Sequence, residues 1–293
     1  MRRVIVASPN TTNAITRTLE RVKGFFSTSR QGSMGCDQSG MHYDWQTGVP
    51  LMLPHPIDSV IIAVPARNEQ ALITSCLQSI RRACDHAQTA LGTRCPPLLL
   101  IVVADGCVDR TVELARAQPG VRVIEQPPSG VGAARRAAIA VALRAVTGPP
   151  SRAWIINTDA DSHVEPNWIV EHLRHADEGA DVLIGTVRPE FDDLSQDQVT
   201  AWQASHHRGQ PNGHIHGANL GVRASTYLEV GGFTAMSEHE DVDLVGRARQ
   251  CGYAIAVTDS TEVVTSGRQV GRTPGGYARY LREDLRLLST SLT

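Results

Sequence analysis

The sequence predicts a three-layer α/β fold, a mostly parallel sheet between two layers of helices joined by right-handed crossovers. Three observations carry this. Short apolar runs recur at Val60–Val64, Leu98–Ala104, Val121–Ile124, Ala153–Ile156 and Val182–Val187, each of a length that suits a strand buried on both faces. Helical spacing fills the intervals, as with Leu72, Ile73, Cys76, Leu77 and Ile80 after the first run. Gly and Pro punctuate the joins, with Gly148-Pro149 stopping one helix and Gly179 another.

Residues 1–57 stand apart. The first thirty are rich in Arg, Ser and Thr, and Gln31–Pro56 shows no sustained period. The apolar segment Val4–Ala7 is too short for a secretory signal. These residues are expected to be a variable or mobile extension without chemistry. Order is expected from 58 to 293.

Along that stretch, the first strand gives way to the turn Pro65-Ala66-Arg67-Asn68-Glu69, and the second ends at Asp105-Gly106. Asp109 is placed to cap a helix over Thr111–Ala117, with Glu113 in its first turn. After the third strand, Gly130-Val131-Gly132 enters an alanine-rich helix. The fourth strand stops at Asp159-Ala160-Asp161, Pro166 starts a helix, and the fifth strand follows Gly179. Phe191–Gly213 then breaks the alternation. It is polar, it holds Trp202, His206 and His207, and it reads as a pocket-shaping insertion. Ile215–Val222 and Ala254–Thr258 read as later strands around a helix at Val242–Gln250, and Tyr277–Leu288 as an amphipathic C-terminal helix carrying Arg279, Arg282 and Arg286.

Composition narrows the function. A net charge of −2 gives no global basic field for nucleic acid. The six cysteines form no C-x-x-C pair, so neither a zinc site nor a disulfide framework is signalled, and a reducing cytoplasm is expected. No apolar run approaches the roughly 20 residues that span a bilayer.

Chemistry-bearing residues cluster at predicted strand ends, where open α/β sheets bind ligands. Asp159 and Asp161 are hard oxygen donors suited to a divalent cation, which in turn could hold a diphosphate. As an ionised carboxylate, Asp105 can accept bonds from a base N–H or a ribose hydroxyl. Each of these is also an ordinary turn residue, so the convergence of three strand ends on one edge carries the argument. Gly130 permits backbone N–H groups to approach an anion, and Arg135, one turn further on, is placed to face a phosphate. Gly130-Val-Gly132 is not a dinucleotide fingerprint, because it lacks the third glycine and the preceding first strand. His214-Ile-His216 puts two imidazoles on one face if extended, read as acceptor contacts or structure ahead of a metal pair. Glu240 and Asp241 open a helix whose dipole favours acids; beside the upstream carboxylates they read as a general base with a neighbour that raises its pKa.

Seven pieces in order resemble family 2 glycosyltransferases of the GT-A fold: Val-Pro-Ala-Arg-Asn-Glu (64–69), Ala-Asp-Gly-Cys-Val-Asp-Arg-Thr (104–111), Gly-Val-Gly-Ala-Ala-Arg (130–135), Asp-Ala-Asp (159–161), Gly-Ala-Asn-Leu-Gly-Val-Arg (217–223), Val-Gly-Gly-Phe (230–233) and Glu-Asp-Val-Asp-Leu (240–244). The resemblance implies an inverting transfer from a nucleotide-diphosphate sugar, UDP-linked ahead of GDP-linked, to an acceptor hydroxyl. It implies a nucleotide half at 58–187 and an acceptor half at 188–293. Pro65, Ala66, Arg67, Glu69 and Asp105 would line the nucleoside pocket, and Gly130, Arg135, Asp159 and Ala160 the remaining donor site. Asp161, with Asp159, would hold Mg²⁺ or Mn²⁺. Asp241 would be the base, with Glu240 beside it, and Trp202, His216 and Asn219 would meet the acceptor. The sequence departs from the family where a later metal-ligating His is common: Thr265 and Ser266 stand there, followed by Arg268 and Arg272, whose charge could act on the diphosphate. Two rivals stay open, a nucleotidyltransferase that builds sugar nucleotides and a binding protein with a lapsed site.

Overall fold

The structure is a computed structural model that describes residues 56–234, 236, 238–271 and 275–285. The chain divides into two units, 1–40 and 41–293, and all described residues belong to the second. The expected extension lies, up to residue 55, outside the described residues, as do Arg272 and Arg286.

One mixed sheet of eight strands forms the middle layer, in the order β3-β2-β1-β4-β7-β6-β8-β5. The strands are β1 (Ser59–Ala66), β2 (Leu98–Asp105), β3 (Val121–Gln126), β4 (Ala153–Asn157), β5 (Ser162–Val164), β6 (Val182–Pro189), β7 (Leu220–Arg223) and β8 (Ile255–Thr265). β1 pairs parallel with both β2 and β4, and all eight of its residues are buried. A strand without an exposed face has no use for alternation, which is why Val60–Val64 reads as an unbroken apolar run. β7 and β5 run antiparallel to their neighbours.

Helices cover both faces. α1 (Ile73–Leu91) and α4 (Trp168–Asp177) pack Ile73, Leu77, Ile80, Trp168 and Ile169 against Val60, Ile62, Trp154 and Ile156. On the other face, α3 (Val131–Leu143), α6 (Ala224–Glu229) and α7 (Glu240–Gln250) bury Ala134, Ile139, Tyr227, Leu244 and Val245 against Ile61, Ala63 and Ile155. The short α2 (Thr111–Arg116) lies between β2 and β3 in the chain.

Three expected elements differ. The strand expected at 215–222 begins only at Leu220, because Gly217–Asn219 forms a 3₁₀ turn. The strand expected to stop at Thr258 runs on to Thr265, which carries the site-bearing segment to the sheet rim. The insertion contains a helix, α5 (Gln196–Ser205), closed by a capping box: Ser195 Oγ accepts from Gln198 N at 3.3 Å, and Ser195 N donates to Gln198 Oε1 at 3.1 Å. Beyond it, Tyr277–Arg279 passes into a π turn at Tyr280–Asp284, and Leu281 and Leu285 pack on Trp202.

Candidate active site

The parallel strands β1, β2, β3, β4, β6 and β8 all end at one rim, and antiparallel β7 begins there. Residues remote in sequence meet as a result. A cleft of about 930 Å³ at this rim is lined by Pro65, Ala66, Arg67 and Glu69 after β1, Asp105 at the end of β2, and Gly130 and Arg135 on α3. Asp159, Ala160 and Asp161 after β4, His216 before β7, Glu240 and Asp241 on α7, and Arg268 after β8 complete it. A smaller hollow of about 450 Å³, lined by Arg81, Arg82, Leu98 and Val121 among others, holds no carboxylate.

On the donor side, Asp105 is buried and occupied by its own chain. Its carboxylate accepts from Gln126 Nε2 at 2.9 Å, Ser129 N at 2.7 Å and Gly130 N at 3.0 Å. The anion expected at the Gly130 N–H is therefore Asp105 itself, and its first task is to fix the entrance of α3. Glu69 and Asp161 share one cation: Arg268 Nη2 lies 2.9 Å from Glu69 Oε1 and also bonds Asp161 Oδ2. Burial and the neighbouring Asp159 charge push Asp161 up to about 6, against the pull of Arg268. Asp161 Oδ1 accepts from hydroxyls, Thr265 at 3.4 Å and Ser162 at 3.5 Å. The Thr265 that stands in place of a histidine thus leans on the carboxylate as a weak donor.

On the opposite side, Asp241 is half-exposed, with Oδ2 accepting from Gly217 N at 2.6 Å and Oδ1 from Val242 N at 2.8 Å. Glu240 is buried and ion-paired to Arg135 Nη1. Burial, helped by Asp241 and opposed by Arg135, holds the Glu240 carboxyl above the usual glutamate range. Arg135 Nη2 meets Asp159 Oδ1 at 2.6 Å. Arg135, expected to face a phosphate, lines the cleft with both terminal nitrogens on carboxylates and is only 3% exposed. His216 is driven down to about 4 by burial, against the Asp241 charge, so it is neutral at pH 7.

Two expected acceptor residues do not line the cleft. Asn219 is fully buried, accepts from Trp168 Nε1 at 3.1 Å and donates to the carbonyls of Thr186 and Thr261 at 2.9 and 2.6 Å. It ties β7 to β6, β8 and α4. Trp202 packs under Phe191, Leu281 and Leu285, and only its partner His206, stacked on it at 3.9 Å, reaches the cleft. Residues that the sequence did not single out also line it, among them Ser129, Glu238, His239, Tyr277 and Tyr280. Of the described residues, the non-glycine ones with positive φ are Asn68 (53°) and His239 (61°), and both sit at this rim. Strained backbone of that kind persists where the surroundings hold it, often at functional sites.

A sheet between two helical layers, with carboxylates gathered at its carboxyl rim and an insertion beside them, is the arrangement expected from the sequence. The family model "Glycosyl transferase family 2" matches residues 61–227, and the chain belongs to that family. A dolichyl-phosphate hexose transferase of Haloferax volcanii is 31% identical over 134 residues, 46% of this chain and 50% of that protein, so the matched stretch spans half the length of that relative. Among solved structures, the mannosyltransferase PcManGT from Pyrobaculum calidifontis, in complex with GDP-Man and Mn²⁺, is similar with a TM-score of 0.52 at 17% identity, covering 96% of this chain and 73% of that one. S. aureus TarS 1–349 in complex with UDP gives a TM-score of 0.50 at 16% identity, covering 80% and 64%. These structural likenesses concern the fold. No helix among the described residues is long and apolar enough to cross a membrane.

Proposed function

We propose that the chain moves a sugar from a nucleoside-diphosphate donor, UDP-linked or GDP-linked, to an acceptor hydroxyl with inversion at the anomeric carbon. The observation that carries this is the meeting of Asp105, Asp161 and Asp241, from three separate elements, around one cleft. Asp241 takes the acceptor proton as the acceptor oxygen bonds the anomeric carbon. The bond from that carbon to the diphosphate oxygen breaks, and its electron pair leaves with the diphosphate. One displacement of this kind inverts the carbon.

The donor set suits a divalent cation. Asp159 gives one oxygen to Arg135 and Asp161 one to Arg268; Asp159 Oδ2 and Asp161 Oδ1, the latter held by the long hydroxyl contacts of Thr265 and Ser162, would be the oxygens offered to the ion. Mg²⁺ and Mn²⁺ need little more from a protein when substrate oxygens and waters complete the shell. Asp159 and Asp161 would hold the ion, which when bound offsets charge on the diphosphate. Arg268 adds a fixed positive charge at the same place. A nucleotidyltransferase fits less well, because the turn after β1, Pro65–Glu69, is not rich in Gly and Lys.

Asp241→Asn tests the base. UDP affinity should stay near wild type while turnover falls about 10²–10⁴-fold, the usual weight of general base catalysis. Full turnover in that variant would end the assignment.

A further inference from the structure

Arg135 is one of the most constrained side chains at the rim. It rises from the first turns of α3, yet both its partners belong to other elements: Asp159, on the loop after β4, and Glu240, the first residue of α7. Its positive charge is set against burial, and the charges of Asp159, Glu240 and Asp241 outweigh that cost. A guanidinium can serve two carboxylates at once because its donors diverge from a rigid plane, which an ammonium cannot reproduce.

The contacts around it converge on Asp241. Gly217 packs so closely on the guanidinium that a Cβ there would collide with its carbon and both terminal nitrogens. The N–H of this same Gly217 donates to Asp241 Oδ2 at 2.6 Å. Gly132 lets α3 approach α7, since a Cβ there would come 3.0 Å from both Glu240 Cγ and Thr234 O. Phe233 packs beside the guanidinium, 5.8 Å from its ring centroid to Cζ. Asp241 is therefore located twice through Arg135: by the helix on which it sits, pinned at Glu240, and by the backbone group that orients its carboxylate.

We infer that Arg135 is the positioning residue of the base. It links the donor-side carboxylate Asp159 to the start of α7 and so sets where Asp241 stands relative to the diphosphate. The inference rests on the reading of Asp241 as the base. It makes Arg135 neither a phosphate ligand nor a proton carrier, and it separates the effect of Arg135 on turnover from any effect on donor affinity.

The test uses the full chain with Arg135→Met, Arg135→Lys, Glu240→Gln and Asp241→Asn. UDP affinity with Mn²⁺ is measured by calorimetry. Turnover is read as nucleoside diphosphate released from UDP-glucose or GDP-mannose, with water as the acceptor. Hydrogen exchange is followed at Gly217 and the first turn of α7. Arg135→Met and Glu240→Gln should keep UDP affinity within about threefold while kcat falls about 100-fold, as a misplacement near 1 Å can cause. Exchange at Gly217 and α7 should quicken in both. Arg135→Lys, which keeps the charge but not the fork, should not restore kcat. A UDP affinity about tenfold weaker in Arg135→Met, or kcat within about threefold of wild type, would overturn the inference. Should Arg135→Met not fold, Glu240→Gln, which takes the charge from one arm of the bridge alone, decides by the same readings. Asp241→Asn separates the two claims: full turnover there sinks the base itself, whereas a dead Asp241→Asn beside an active Arg135→Met sinks only the role of Arg135.

Discussion

At the scale of the single residue, the environment of Asp161 sets a pH dependence. Burial and the Asp159 charge raise this carboxyl to about 6 from the ordinary 3.8. The folded chain thus binds this proton more tightly than the unfolded one, so the stability the group contributes is complete below about 3.8 and is lost as pH rises through about 6. A cation or Arg268 needs the ionised form, so UDP affinity in Mn²⁺ should grow as pH passes upward through that value. Calorimetry at pH 5, 6 and 7 measures the affinity, and a flat profile, or one shared by Asp161→Asn, would refute the assignment. Asp161 was visible in the sequence because a carboxylate straight after an apolar run has few other places to be than the strand end. The bridge through Arg135 was not. Its partners lie 24 and 105 residues away, and no local pattern encodes a contact among two helices and a loop that only the assembled sheet brings together.

At the scale of elements, periodicity served well where burial decides structure and poorly where hydrogen bonds do. β1, β2 and β4 are apolar because they are buried on both faces, and all three were readable. α5 was hidden by its polarity, although Ser195 and Gln198 spell a capping box, a signal that was present and unused. The stretch 215–222 misled because its apolar residues continue through a turn that Asn219 holds in place. That side chain satisfies a tryptophan N–H and two carbonyls in the interior, where an unmet polar group costs about 1–3 kcal/mol. Asn219→Ala should therefore destabilise the chain by about that much per orphaned group while leaving UDP affinity within about twofold. Denaturant melts and calorimetry measure the two effects. A large loss of affinity at unchanged stability would return Asn219 to the substrate site.

For the molecule as a whole, the sheet acts as a collecting device. Six parallel strands deliver their carboxyl ends, and β7 its amino end, to one rim, so side chains from residue 65 to residue 280 share one cleft. That gathering brings together carboxylates that repel one another. The Asp159 charge raises the cost of ionising Asp161, and Arg135 and Arg268 hold the cluster together from its two ends. A ligand that adds a cation and a diphosphate should relieve this strain, and it binds only the folded rim. Binding of that kind stabilises the native state by about 2.7 kcal/mol when the ligand is at a hundred times its dissociation constant. A nucleoside diphosphate with Mn²⁺ should accordingly raise the melting temperature by several degrees, more than the sum of the shifts from Mn²⁺ alone and nucleotide alone. UDP should be compared with GDP, each with and without Mn²⁺, because the larger joint shift names the base that the Pro65–Glu69 side accepts. Additive shifts would mean that the ion and the diphosphate do not meet at Asp159 and Asp161, and the cation would then have no part in holding the donor.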